Sequence, residues 1–290
     1  MTGVLLKNEP LAKYTSWRVG GPAEQMYLPA GKQDLINYLS SLPKQENIFW
    51  LGLGSNLLVR DGGITGTVIN TRGRLRDMQL VDAKKVYVEA GVPCAHVARF
   101  STENGLTGAE FLAGIPGTMG GALKMNAGAF GGETWNIVDQ VEMINAQGQV
   151  TIRMTEQFKV TYRSVEGNSD EWFLAVVLSL KKGESRVSQA KIKAILEKRA
   201  LTQPTNKPTC GSVFKNPPGD YAARLIEACG LKGYQLGGAC VSKKHANFIE
   251  NMGNATALDI ETLIEYIQQQ VFERHQVKLE TEVCKVGVPL

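Results

Sequence analysis

The sequence has 290 residues, 43% hydrophobic and 21% charged, with a formal net charge of +4. That length suits two or three domains, and the apolar fraction excludes a disordered chain. The weak, scattered positive charge suits an anionic small molecule and excludes the dense basic face of a nucleic-acid binder, while the lack of about 18 consecutive apolar residues excludes a spanning helix.

In chain order, Met1–Pro10 lacks the long apolar stretch and cleavage site of a signal peptide. Leu35, Tyr38, Leu39 and Leu42 share one helical face that Pro43 ends, and Ile48–Leu51 follows as a buried strand entering a glycine loop. Val68-Ile69 and Val86-Tyr87-Val88 predict strands, and Val97–Glu103 predicts a helix closed by Asn104-Gly105. Val141, Met143, Val150 and Ile152 alternate about a turn near Gln147-Gly148, which predicts a hairpin from Val138 onward. Phe173–Leu180 has the composition of a central strand. The main domain boundary is placed at Lys182, and Lys191–Arg199, with Ile192, Ile195 and Leu196, reads as an amphipathic helix. Ala222, Leu225, Ile226 and Cys229 form a stripe that Gly230 stops. Thr256 and Asp259 make a capping pattern ahead of Ile260, Leu263, Ile264, Ile267 and Val271. Val277–Val288 reads as a strand returning to an earlier sheet, so the whole is α+β rather than doubly wound.

Cys94, Cys210, Cys229, Cys240 and Cys284 are widely spaced with no CxxC pair. They read as reduced thiols of a cytoplasmic protein, and no metal site is expected.

Two loops concentrate the glycines: Leu51-Gly52-Leu53-Gly54-Ser55-Asn56-Leu57-Leu58-Val59-Arg60-Asp61, and Gly114-Ile115-Pro116-Gly117-Thr118-Met119-Gly120-Gly121 continuing through Asn126 to Gly132. Glycines let backbone N–H groups converge on an anion, so each loop is either a phosphate cradle or a tight turn. The dinucleotide fingerprint of a doubly wound fold is not met, because Leu57 stands where its third glycine belongs and Leu58-Val59 reads as strand.

In their full wording, these loops and the stretch Tyr14–Ala23 resemble the UDP-N-acetylenolpyruvoylglucosamine reductase family over nearly the whole chain. The resemblance implies the α+β FAD-binding fold shared with vanillyl-alcohol oxidase and p-cresol methylhydroxylase. Two subdomains, split near residue 72, would occupy residues 1–182. A substrate-binding domain would cover residues 183–276, and a last strand residues 277–290. It implies FAD held by Gly52, Gly54, Ser55, Asn56, Gly117, Thr118, Gly120, Gly121 and Asn126. His96, His245 and His275 lie in neither loop, so the flavin is expected without a covalent link. The spacing after Ala127 resembles the shorter form of the family, without a long tyrosine-bearing lid.

The implied reaction passes a hydride from NADPH through flavin to UDP-N-acetylglucosamine enolpyruvate. Such a site needs a proton donor, a fixed cation and donors facing the developing charge. Gly211–Pro217 resembles the family's serine motif and makes Ser212 the candidate proton donor. Tyr162-Arg163-Ser164-Val165 carries the arginine whose planar fork suits a carboxylate gaining charge. Glu282 matches the catalytic glutamate, although Thr281 stands where the family often has proline. Tyr162, Lys215, Asn216, His245 and Asn247 are the candidate substrate contacts. The partners expected are the nucleotide sugar and NADPH, with no nucleic acid or membrane, and a monomer or weak oligomer. An oxidase of the same fold would not require the Ser212, Arg163 and Glu282 set, and a non-catalytic flavin or nucleotide-sugar module would be expected to lack part of it.

Overall fold

A computed structural model describes residues 2–167 and 170–290. The chain groups into two compact units, one of Met1–Leu6, Gln25–Leu53 and Gly66–Lys198, the other of Lys7–Glu24, Gly54–Thr65 and Arg199–Leu290.

In the first unit the apolar run Glu171–Ser179 buries six consecutive residues, as only a strand covered on both faces does. It is the middle of a five-stranded sheet ordered Val150–Met154, Val138–Asn145, Glu171–Ser179, Lys85–Glu89, Met78–Leu80, antiparallel throughout. Phe173, Val176 and Leu178 join one core with Val97, Met119, Leu123 and Trp135. Leu174 joins another with Leu35, Leu39 and Ile69, which buries the predicted face of helix Lys32–Ser41. Each such aliphatic side chain contributes about 1.5–3 kcal/mol. Ile48–Leu51 pairs in parallel with Ile64–Asn70 in a four-stranded sheet. The change between these sheets falls between Asn70 and Met78. Helix Cys94–Glu103 ends at Asn104, with Gly105 left-handed at φ +68.

The boundary expected at Lys182 lies later in the structure. Helix Ser185–Thr202 stays with the first unit as far as Lys198, anchored by Ser188, whose hydroxyl donates to Glu110 at 2.7 Å, and by Ile192 against the core. Burial would raise the Glu110 pKa, but the Ser188 and Thr107 hydroxyls and the Gly108 N–H overcome it and hold the carboxyl at about 2. Ile195 is half-buried, and Leu196, expected on the same apolar face, is exposed.

The second unit is built on helix Ala257–His275. Thr256 and Asp259 form the expected capping box, and the Asp61 carboxylate also accepts the N–H groups of Ala257 and Leu258. The predicted stripe from Ile260 to Val271 is buried in one core with Leu225 and Ile226 of helix Ala222–Ala228. Trp17, Val19 and Leu58 fill the same core. That burial is why Lys7–Glu24 and Gly54–Thr65 group with the C-terminal half rather than with their sequence neighbours. The C-terminal strand is shorter than Val277–Val288: only Cys284–Val286 forms a ladder, parallel to Leu57–Val59, and Gly287 turns out of it at φ +81. Just upstream, Thr281 makes an isolated antiparallel bridge with Phe214.

Candidate active site

In the first unit, the two glycine loops meet at Thr118. A Cβ added to Gly52 would lie 2.5 Å from the Thr118 hydroxyl oxygen, so any side chain there would have to displace that hydroxyl. Thr118 starts the short helix Met119–Lys124, whose first N–H groups are used by Val92 and Ala90 carbonyls at 2.9 Å, while the Gly117 carbonyl accepts from Cys94. At Gly120 a Cβ would press on Ala90 at 3.0 Å. At Gly121 it would meet nothing nearer than the Thr118 hydroxyl at 3.9 Å, so that side of the backbone is open to a ligand. A rigid glycine surface with one open side and an adjacent hydroxyl fits a pyrophosphate-bearing cofactor.

Asn126 follows this loop, buried and left-handed at φ +44. Its amide nitrogen donates to Glu133 at 3.0 Å and to the Thr161 carbonyl at 3.2 Å, and its oxygen accepts from Trp135 N–H at 3.1 Å. Both amide hydrogens are spent within the protein, so the side chain organises the loop. Tyr162 and Arg163 form the tight turn between Lys159–Thr161 and Ser164–Glu166. Arg163 is left-handed at φ +56, and its guanidinium stacks 5.0 Å from the Tyr162 ring centroid while donating to the carbonyls of Gly128 and Asn126 at 3.0 and 3.4 Å. Non-glycine residues in this region cost on the order of 1–3 kcal/mol and cluster at working sites.

In the second unit, Gly54 is left-handed at φ +65, and a Cβ there would lie 2.0 Å from the Tyr14 carbonyl oxygen. The Gly54 carbonyl accepts from Ser16 N–H and the buried Cys210 thiol, whose pKa burial pushes up to about 12. Ser55 is half-buried beside it. The Asn56 amide donates to the Glu282 carbonyl at 3.0 Å, and the Asn56 carbonyl accepts from Cys284 N–H at 3.0 Å.

The same unit brings Ser212 and Glu282, 70 positions apart in sequence (282 − 212), onto adjacent backbone. Glu282 N–H donates to the Val213 carbonyl at 2.8 Å, and Lys215 N–H donates to the Glu280 carbonyl at 2.9 Å. Glu282 and Ser212 are half-buried, whereas Glu280 is exposed and pairs with the Lys215 ammonium at 3.4 Å. Asn247 clamps the other side. Its side-chain oxygen accepts from Phe214 N–H at 3.0 Å, its amide donates to the Phe214 carbonyl at 2.8 Å, and its carbonyl accepts from Val213 N–H at 2.9 Å. The Asn216 side-chain oxygen accepts Ala222 N–H and so starts a helix. The structure thus gives both Asn247 side-chain groups a structural partner, whereas Asn216 uses only its oxygen in this way.

His245 stacks edge-on to Phe248 at 4.7 Å, and its Nδ1 accepts Asn247 N–H at 3.3 Å. Burial lowers its pKa. The folded protein therefore binds this proton less readily than the unfolded chain does, and stability falls as pH drops below the ordinary histidine value of about 6.5. The thermal midpoint of wild type is expected to fall faster than that of His245→Gln on acidification below about pH 6.5; parallel pH profiles would remove His245 as a contributor.

Glu133, which holds Asn126, is a residue that sequence reasoning missed. Its only local signal is its place at the end of the second glycine stretch, opposite Gly128 in a two-residue hairpin.

With this geometry in place, family models match at both ends of the chain: an FAD binding domain over residues 23–152 and the C-terminal domain of UDP-N-acetylenolpyruvoylglucosamine reductase over residues 203–286. The chain is 59% identical to the UDP-N-acetylenolpyruvoylglucosamine reductase of Methylococcus capsulatus, covering 98% of this chain and 94% of that one. It is 57% identical to the Legionella pneumophila enzyme of the same name, covering 98% and 93%. The crystal structure of UDP-N-acetylenolpyruvylglucosamine reductase from Thermus caldophilus superposes with a TM-score of 0.83 at 32% identity, covering 98% of this chain and 99% of that one. The fold is an α+β FAD-binding fold followed by a C-terminal α+β domain, and the protein is an oxidoreductase. Two independent domain matches and full-length identity well above one half agree: the chain belongs to the UDP-N-acetylenolpyruvoylglucosamine reductase family.

Proposed function

We propose that this protein reduces UDP-N-acetylglucosamine enolpyruvate to UDP-N-acetylmuramate, using NADPH and non-covalent FAD, in the cytoplasm and as a monomer or weak oligomer. The observation that carries the reading is the backbone pairing that holds Ser212 beside Glu282, with Glu282 N–H on the Val213 carbonyl at 2.8 Å. Among the described residues no helix is long and apolar enough to cross a membrane.

When bound, FAD supplies the hydride relay from NADPH to the terminal carbon of the enol ether. Gly52, Gly54, Ser55, Asn56, Gly117, Thr118, Gly120 and Gly121 are the residues proposed to hold it. Hydride addition next to a carboxylate builds a second negative charge. Arg163 faces that charge with a planar fork already oriented by two carbonyls, so little reorganisation is needed as the charge grows. Ser212 delivers the proton to the neighbouring carbon, directly or from a water it orders. A serine hydroxyl is a weak acid in water, so its contribution depends on being fixed, and the Val213-Phe214 clamp fixes it. Glu282 acts protonated or cation-paired, since an ionised carboxylate would repel the growing dianion. Lys215 and Tyr162 are kept as contacts to the nucleotide sugar.

The test is one spectrum and two additions. The purified protein is expected to show flavin absorbance, to bleach with NADPH without oxygen, and to regain colour with the enolpyruvyl substrate. A folded, colourless preparation that takes up no added FAD, or reduced flavin indifferent to the substrate, would overturn the reading.

A further inference from the structure

We propose that Glu133 is a positioning residue for this reduction, setting through Asn126 the direction in which the Arg163 guanidinium points; the inference rests on Arg163 being the cation that meets substrate. Two tight hairpins carry it. The first pairs Gly128-Ala129 with Gly132-Glu133 about Phe130 and Gly131, left-handed at φ +51 and +84 as a primed turn requires. The second pairs Lys159–Thr161 with Ser164–Glu166 about Tyr162 and Arg163. Arg163 leans from the second hairpin onto the first, donating to the Gly128 carbonyl at 3.0 Å, and Gly128 is the residue opposite Glu133.

The Asn126 side chain ties the hairpins together. Its amide gives one hydrogen to Glu133 at 3.0 Å and one to the Thr161 carbonyl at 3.2 Å. An amide can flip, exchanging donor for acceptor, and then both bonds are lost. A carboxylate can only accept, so Glu133 together with the N–H of Trp135 selects the orientation that also reaches Thr161. The Asn126 carbonyl is the second acceptor for Arg163 at 3.4 Å, so a shift of this residue moves the guanidinium directly. The left-handed backbones of Asn126 and Arg163, at φ +44 and +56, need such support to persist.

The experiment is a double-mutant cycle on the holoenzyme, read as the rate of flavin reoxidation by the enolpyruvyl substrate. Glu133→Ala is expected to slow reoxidation ~100-fold, the scale of a misplacement of about 1 Å. Glu133→Gln, whose amide oxygen still accepts from Asn126, is expected to recover most of that loss. In an Arg163→Met background, Glu133→Ala is expected to add no further loss, because its effect passes through the guanidinium. Glu133→Met, similar in length but with no acceptor, serves where the alanine variant does not fold. If Arg163→Met is crippling while Glu133→Ala is harmless or its loss multiplies that of Arg163→Met, the positioning role is overturned and the proposed reaction stands. A harmless Arg163→Met overturns the assignment of Arg163, and this inference with it.

Discussion

Ser212→Ala is expected to leave flavin reduction by NADPH close to wild type and to slow substrate-driven reoxidation by about 10²–10⁴-fold, the usual worth of a positioned proton donor. The change removes one oxygen from a half-buried side chain and leaves the adjacent backbone bonds intact. The variant should therefore melt within about 0.5 kcal/mol of wild type, as substitutions away from buried networks do. The two half-reactions separate the explanations. Only the second delivers a proton to carbon, so a donor affects only that step, whereas a displaced flavin affects both. Rapid-mixing traces in which NADPH oxidation is equally slowed would remove Ser212 from the proton-transfer role.

Features that recur at short sequence distance were legible. Helix Ala257–His275 announces itself by a capping pair three residues apart and by five apolar residues at helical spacing, all of them buried. The hairpin from Val138 and the central strand near Phe173 are likewise local patterns of alternation and apolar continuity. What the sequence hides is which distant backbone a polar side chain meets. Asn56, Asn126 and Asn247 look alike in sequence, as polar residues in motif-rich loops. In the structure, Asn56 bonds the chain 226 positions away, Asn247 a segment 33 positions away, and Asn126 spans two hairpins. The C-terminal ladder is shorter than its sequence pattern suggests for a related reason. Alternation over Val277–Val288 suits a ladder, but Leu279–Val283 is held by scattered bonds to Val213, Phe214 and Lys215, so the ladder begins only at Cys284. The grouping of the chain into units is likewise not legible locally, because Trp17 and Leu58 are buried in a core whose helices lie about 200 residues further on, and hydropathy carries no partner label.

Asn247→Ala is expected to destabilise the fold and to lower kcat while leaving KM for the nucleotide sugar nearly unchanged. The side chain satisfies both the N–H and the carbonyl of Phe214, which is buried, and each group left unpaired costs about 1–3 kcal/mol. A loss on the order of 2–6 kcal/mol lowers the melting temperature by roughly 3–10 °C for a chain of this size. Without the two side-chain bonds, the segment Ser212–Phe214 keeps the Val213 N–H bond to the main-chain carbonyl of residue 247 and its bonds to the Glu282 side, so Phe214 is released and the Ser212 hydroxyl is held less firmly. Asn247→Asp sharpens the argument: it retains an acceptor for Phe214 N–H but sets an anionic oxygen against the Phe214 carbonyl, so it should be no milder than alanine. Steady-state kinetics on both variants decide between clamp and substrate contact. A clamp lowers kcat, because the proton donor is misplaced while the substrate is still held. A direct contact to the nucleotide sugar raises KM with kcat maintained, and that pattern would return Asn247 to the substrate-binding role suggested by its motif.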